Sequence, residues 1–217
     1  MISLRIKTDA LDELAAKAQQ LGRETDVAMF GARAAGNLVR NHLISLDAER
    51  PNALGGTRTH FYAAAAKSVH EPVPVGKGAA FIITQIGLAQ RWLGGVIRAG
   101  QGESSYSGKA TQYLAIPARA EAYGLPPKNF DDLQFVPLKG GRAMLVQALQ
   151  TKLKFGRKNK AGVRKVSGTT VGGLVMFWLV KEVDQKPDPT VMPEQEQIAE
   201  AARAEMDDYL SHTLMSN

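Results

Sequence analysis

Seven consecutive apolar residues, Leu174-Val-Met-Phe-Trp-Leu-Val180, lie between Gly172-Gly173 and Lys181. A run of this length is far too short to cross a bilayer, which takes about 20 residues. Its β-branched and aromatic content between glycines suits a strand buried on both faces, although period alone leaves a buried helical segment open. Whatever else the chain does, it must cover this run.

The segments available to cover it are short and mixed. Ser3 to Lys7 alternates like a strand, and Asp9 is placed to cap a helical pattern of Leu11, Leu14, Ala15, Ala18 and Leu21. A second stripe, Ala28, Ala32, Ala35, Leu38, Val39, His42, Leu43 and Leu46, runs to the turn cluster Pro51 to Gly56. Its small residues allow another element to approach closely. His60 to Lys67 predicts a short helix, Ala79 to Ile86 a strand paired about Gly76 to Gly78, and Gly87 to Leu93 a helical turn ending at Gly94-Gly95. Polar Ile97 to Thr111 predicts an arm or an extended hairpin. Strands are expected at Tyr113 to Ile116, stopped by Pro117, and at Gln134 to Val136 and Arg142 to Val146 around Gly140-Gly141. Pro187 and Pro189 predict a stiff linker. Pro193 then opens a helix with Ile198, Ala202, Met206, Tyr209, Leu210 and Leu214 on one side.

The expected fold class is therefore α+β, a mostly antiparallel sheet packed with N-terminal helices, plus an extended arm or hairpin and a C-terminal amphipathic helix. In domain terms this is one body over 1–186, with a flexible arm at 98–111 and a basic loop at 152–170. A Pro-rich linker follows at 187–192, then an acidic helix at 193–217. At 217 residues and 44% apolar content the chain can bury a sizeable core.

Charge is segregated along the chain. Residues 193–217 carry six acids, Glu194, Glu196, Glu200, Glu205, Asp207 and Asp208, against Arg203, a balance of −5 in a chain of +6, so the remainder is +11. Between Asp132 and Glu182 there is no acid. That interval holds Lys139, Arg142, Lys152, Lys154, Arg157, Lys158, Lys160, Arg164 and Lys165, a block suited to phosphate or to a partner's carboxylates, or else a solvated loop.

Local chemistry is sparse by comparison. Cysteine is absent, which excludes disulfides, thiolate metal sites and cysteine nucleophiles. The N-terminal residues, with Arg5, Lys7 and Asp9, lack the apolar stretch of a signal peptide. His42, His60, His70 and His212 have no partner at metal-ligand spacing. Gly102 to Lys109 fails as a phosphate-binding loop, since five residues separate its glycines and Ala110 stands where a magnesium-binding hydroxyl belongs. No Gly-x-Ser-x-Gly elbow occurs, Asp131-Asp132 fits a turn, and no Glu-x-Lys or Asp-x-Lys follows Pro187-Asp188. The expectation is a nonenzymatic chain with no cofactor, no metal and no membrane span.

Several words of the sequence, in their order, resemble the tailed-bacteriophage virion morphogenesis proteins, the neck and tail-completion components. They are Arg58-Thr-His-Phe-Tyr-Ala-Ala-Ala-Ala-Lys-Ser-Val69, Gly94-Gly95-Val-Ile97, Lys109 to Pro117 with Tyr113-Leu-Ala-Ile-Pro117, the strand pair Leu138 to Val146, and Trp178-Leu-Val180 before a Pro-rich segment and terminal helix. The likeness extends over residues 9–212. The basic insertion Lys152 to Lys165 and the ending Lys186-Pro-Asp-Pro189, where an Arg-Pro-Phe type is expected, depart from it.

The resemblance implies a head-tail joining or tail-completion subunit that forms a sixfold ring to match a tail tube. Its partners would be further copies of itself, neighbouring connector, tail terminator or tail tube proteins, and double-stranded DNA passing without sequence specificity. It would be assembled in the host cytoplasm and reside in the virion. On this view Lys152, Lys154, Arg157, Lys158, Lys160, Arg164 and Lys165 face the DNA lumen or an adjoining ring. Arg98, Tyr106 and Lys109 of the arm, and Ile198, Ala202, Met206, Tyr209 and Leu210 of the terminal helix, would contact adjacent subunits. The competing expectation is a sequence-nonspecific nucleic-acid-binding protein outside any particle. Against it, Phe155 is the one aromatic in the basic stretch, where a single-strand binder needs several stacking platforms.

Overall fold

A computed structural model describes residues 16, 24–50, 52, 54–100, 112–148, 151–158, 164–170 and 173–215, with the backbone alone described at 148, 151–158, 164–170 and 214. The fold is α+β, as expected. The described parts divide into two compact units, one drawn from 1–50, 60–95 and 185–217, the other from 51–59 and 96–184. The strand at Ser3 to Lys7 and the helical pattern at Leu11 to Leu21 fall, apart from helical Ala16, outside the described residues.

The first unit contains helices α1 (Glu24–Glu49), α2 (Phe61–Lys67), α3 (Leu88–Leu93) and α4 (Gln195–Met215). Along α1, Val27, Gly31, Ala35, Val39 and Leu43 recur every fourth residue and are all buried. A helix of 3.6 residues per turn gathers such a set into one apolar seam. Helix α4 lies antiparallel against it: Val27 packs with Leu210, the rings of Phe30 and Tyr209 stack at 4.4 Å, and His42, further along α1, reaches the Thr190 carbonyl oxygen at 2.9 Å. Gly31 sets the spacing. A Cβ there would lie 2.8 Å from Met206 Cγ, inside van der Waals contact.

Two further joints fix this unit. His60, which precedes α2, has φ 50° and gives no side-chain cap, so the capping oxygen comes from α1, where Asp47 Oδ1 accepts the Ala63 N–H at 3.2 Å and Asp47 Oδ2 meets His60 Nδ1 at 2.9 Å. After α3, Gly94 has φ 71°, and a Cβ on it would stand 2.6 Å from Pro187 N and 2.7 Å from Gln185 O, so glycine alone fits. The segment expected as a linker is ordered, and its end enters the core. It forms a 3₁₀ turn at Pro189–Val191, and Val191 and Met192 are buried. A small hairpin, β1 (Val73–Val75) and β2 (Gly78–Ala80), pairs around Gly76, whose φ is 62°.

From Gly95 to Gln185 the described elements are strands, apart from 3₁₀ turns at Ala120–Ala122 and Pro127–Asn129. The strands are β3 (Gly95–Arg98), β4 (Leu114–Pro117), β5 (Leu133–Pro137), β6 (Ala143–Ala148), β7 (Thr151–Lys158), β8 (Arg164–Thr170), β9 (Gly173–Val180) and β10 (Glu182–Gln185). One antiparallel sheet has the order β4-β9-β6-β5, which places the apolar run in an inner strand. Phe177 meets Phe130 edge-on at 5.5 Å. Full burial on both faces does not occur, because Trp178 is 43% exposed while Met176, Phe177 and Leu179 are buried. The basic stretch expected as a loop is an antiparallel ribbon of β7 and β8.

Leu43 is fully buried and its neighbour Ile44 is 52% exposed. Leu43→Ala should cost about 2–5 kcal/mol of stability in urea unfolding, and Ile44→Ala no more than about 0.5 kcal/mol. Equal losses would mean that the seam of α1 is misassigned.

Candidate assembly and nucleic-acid surfaces

The densest polar cluster lies where α1 ends. Arg50 Nη1 donates to Asp188 Oδ2 at 2.7 Å and to Tyr62 Oη at 3.2 Å, and Arg50 Nη2 donates to Thr190 Oγ1. Asp188 Oδ1 also accepts the Thr190 N–H at 3.2 Å, which caps the 3₁₀ turn. The Asp188 N–H in turn donates to the Arg91 carbonyl oxygen at 3.0 Å, and the Arg91 guanidinium lies 4.3 Å from the Phe61 ring centroid. The side-chain hydrogen bond from Arg50, followed by that from Thr190, holds the Asp188 carboxyl below its ordinary range. These groups satisfy one another and tie the turn before α4 to α1 and α2. The cluster is a clasp, and the sequence could not show it, since Arg50 and Asp188 are 138 positions apart. Among the described residues no group of three or more His, Cys, Asp or Glu is placed to hold a metal ion, and no helix is long and apolar enough to cross a membrane.

The terminal-helix residues expected to contact neighbouring subunits are turned inward. Ile198, Ala202 and Leu210 are buried, while Met206 sits over Gly31 and Tyr209 stacks on Phe30. The apolar stripe is real, but α1 of the same chain covers it. Arg98 lies in β3 and pairs with Glu182 at 3.3 Å, an exposed ion pair worth little in water. Tyr106 and Lys109, with the rest of the arm over 101–111, lie outside the described residues.

An open apolar surface is found instead on the four-stranded sheet. Register sets Ile116 opposite Trp178 and Trp178 opposite Met144, and Ile116 and Trp178 are 37% and 43% exposed. On the other face of the sheet, the rings of Tyr113 beside β4 and Phe135 on β5 approach to 6.1 Å. The sequence hides Trp178 as a surface residue because it sits inside the apolar run.

The ribbon collects the basic residues. Lys152 pairs with Thr169, Leu153 with Gly168, Lys154 with Ser167 and Phe155 with Val166; after a register shift, Lys158 stands opposite Arg164. Arg157 lies within the shift and Lys165 follows Arg164 on β8, whereas Lys160 lies outside the described residues.

A comparison with protein-family models, curated proteins and solved structures finds no match to this chain.

The clasp has a pH signature. Because the Asp188 pKa is depressed in the folded state, its contribution is complete above the ordinary carboxylate pKa and is lost as pH falls through the lower folded value. With a third of each side chain exposed, screening limits the pair to about 1 kcal/mol or less. Asp188→Asn should therefore lower the melting temperature at neutral pH and flatten its fall as pH drops below the ordinary carboxylate range. An unchanged acid limb would assign that fall to other carboxylates.

Proposed function

We propose that this chain is a nonenzymatic structural subunit of the neck or tail of a tailed bacteriophage, forming a ring at head-tail joining or tail completion through which DNA passes. The observation that carries the reading is where the family-like words meet. Residues Leu114 to Ile116 pair directly with Val180 to Trp178, and Ala143, in the fourth word, pairs with Leu179. Words separated by more than 60 positions thus build one sheet, and the exposed pair Ile116 and Trp178 lies on it.

An apolar pair exposed across an edge strand and its inner neighbour fits a chain that completes its burial by assembly. The contact between subunits is assigned to this sheet face, in place of the buried stripe of α4. A heterologous contact of this kind closes into a ring when its rotation permits, and sixfold closure would match a tail tube. Neighbouring connector, tail terminator or tail tube proteins would supply the rings above and below.

Removing this gene from its phage genome and restoring it in trans, with particles viewed by electron microscopy, tests the reading. DNA-filled heads separate from finished tails, rejoined on complementation, are expected; intact virions without the gene would refute it and favour a nucleic-acid-binding role outside the particle. At the residue level, Trp178→Asp should leave the melting curve within about 1 kcal/mol of the parent, since the side chain is partly exposed, and should abolish complementation.

A further inference from the structure

The ribbon β7–β8 has two unlike faces. Alternation along each strand, with the observed register, places Lys152, Lys154, Lys165, Ser167 and Thr169 on one face and Leu153, Phe155, Val166 and Gly168 on the other. The first face has neither an acid nor an apolar residue. Lysine and hydroxyl residues are the usual donors to phosphate oxygens. Near the tip, Lys158 stands directly opposite Arg164, which by the same alternation shares a face with Val166 and not with the lysines. No acid occurs between Asp132 and Glu182 to neutralise the lysines from within the stretch.

We infer that this face of the ribbon binds the phosphate backbone of duplex DNA without reading its sequence. Lys152 and Lys154, two residues apart on one strand, are separated by about 6.6 Å, close to the distance between successive phosphates of one DNA strand. Threonine and serine opposite them add hydroxyl donors at the same spacing. The duplex is favoured over a single strand because the lone aromatic, Phe155, belongs to the opposite face and offers no stacking platform beside the lysines. The face carries no asparagine or glutamine for adenine and no acid for cytosine, and its lysines and hydroxyls are donors that phosphate oxygens of any sequence accept from. The inference deepens the neck reading and rests on it only for the source of the duplex.

The test uses the full chain and mixed-sequence duplexes of about 30 base pairs, followed by fluorescence anisotropy across a salt series. Three phosphates neutralised by Lys152, Lys154 and Lys165 predict log affinity falling with log salt at a slope of about −3, equally for unrelated sequences. Lys152→Ser with Lys154→Ser should weaken binding about tenfold or more and reduce the slope by about 2. A control pair removing the same charge elsewhere, Lys67→Ser with Lys186→Ser, should bind like the parent, and circular dichroism of all three verifies folding. Equal loss in both pairs would overturn the inference in favour of diffuse charge attraction. Absence of duplex binding, with self-association lost in the ribbon variant, would overturn it in favour of a protein contact. A chain that binds duplex through the ribbon while its gene is dispensable for joining keeps this inference and ends the neck reading. One that is needed for joining and binds no duplex does the reverse.

Discussion

The apolar seam of α1 is the constraint on which the first unit depends. It is a single line of residues at four-residue spacing, and the remaining elements of the unit are laid along it. Helix α4 closes on one end through Gly31 and Val27, α2 is capped by Asp47, and the 188–192 turn is clasped by Arg50. Each joint uses a different physical device: close packing allowed by a missing side chain, a borrowed N-cap, and a hydrogen-bonded ion pair. Loss of the seam would remove the common surface that all three joints presuppose.

Much of this was legible in the sequence, and the failures have physical causes. The period of Ala35, Val39, Leu43 and Leu46 marks the buried face of α1 because a helix with one covered side must repeat in this way. The stripe Ile198, Ala202 and Leu210 is equally legible as apolar, but a stripe does not name what covers it; α1 does, not a neighbouring subunit. Pro187 and Pro189 look like a linker by composition. They are held instead by Gly94 and the clasp, contacts between residues far apart in the chain.

The strands tell a similar story. Gly140-Gly141 and Pro117 announce the ends of β4, β5 and β6, since turns and prolines act locally. The run Leu174 to Val180 is an inner strand, yet Trp178 is open because pairing on both edges does not require cover on both faces. The basic stretch lacks strong apolar alternation and reads as a loop, while its backbone pairs as a ribbon through Leu153, Phe155 and Val166. That pairing converts a charge count into two faces with different chemistry.

The second unit presents an exposed apolar pair on its sheet and a basic ribbon, the two surfaces that the proposed subunit would use to assemble around a polyanion. The most direct measurement of that claim is immunogold labelling of purified virions with an antibody raised against the full chain. Gold confined to the head-tail junction is the predicted result. Labelled lysate with unlabelled particles would contradict the account.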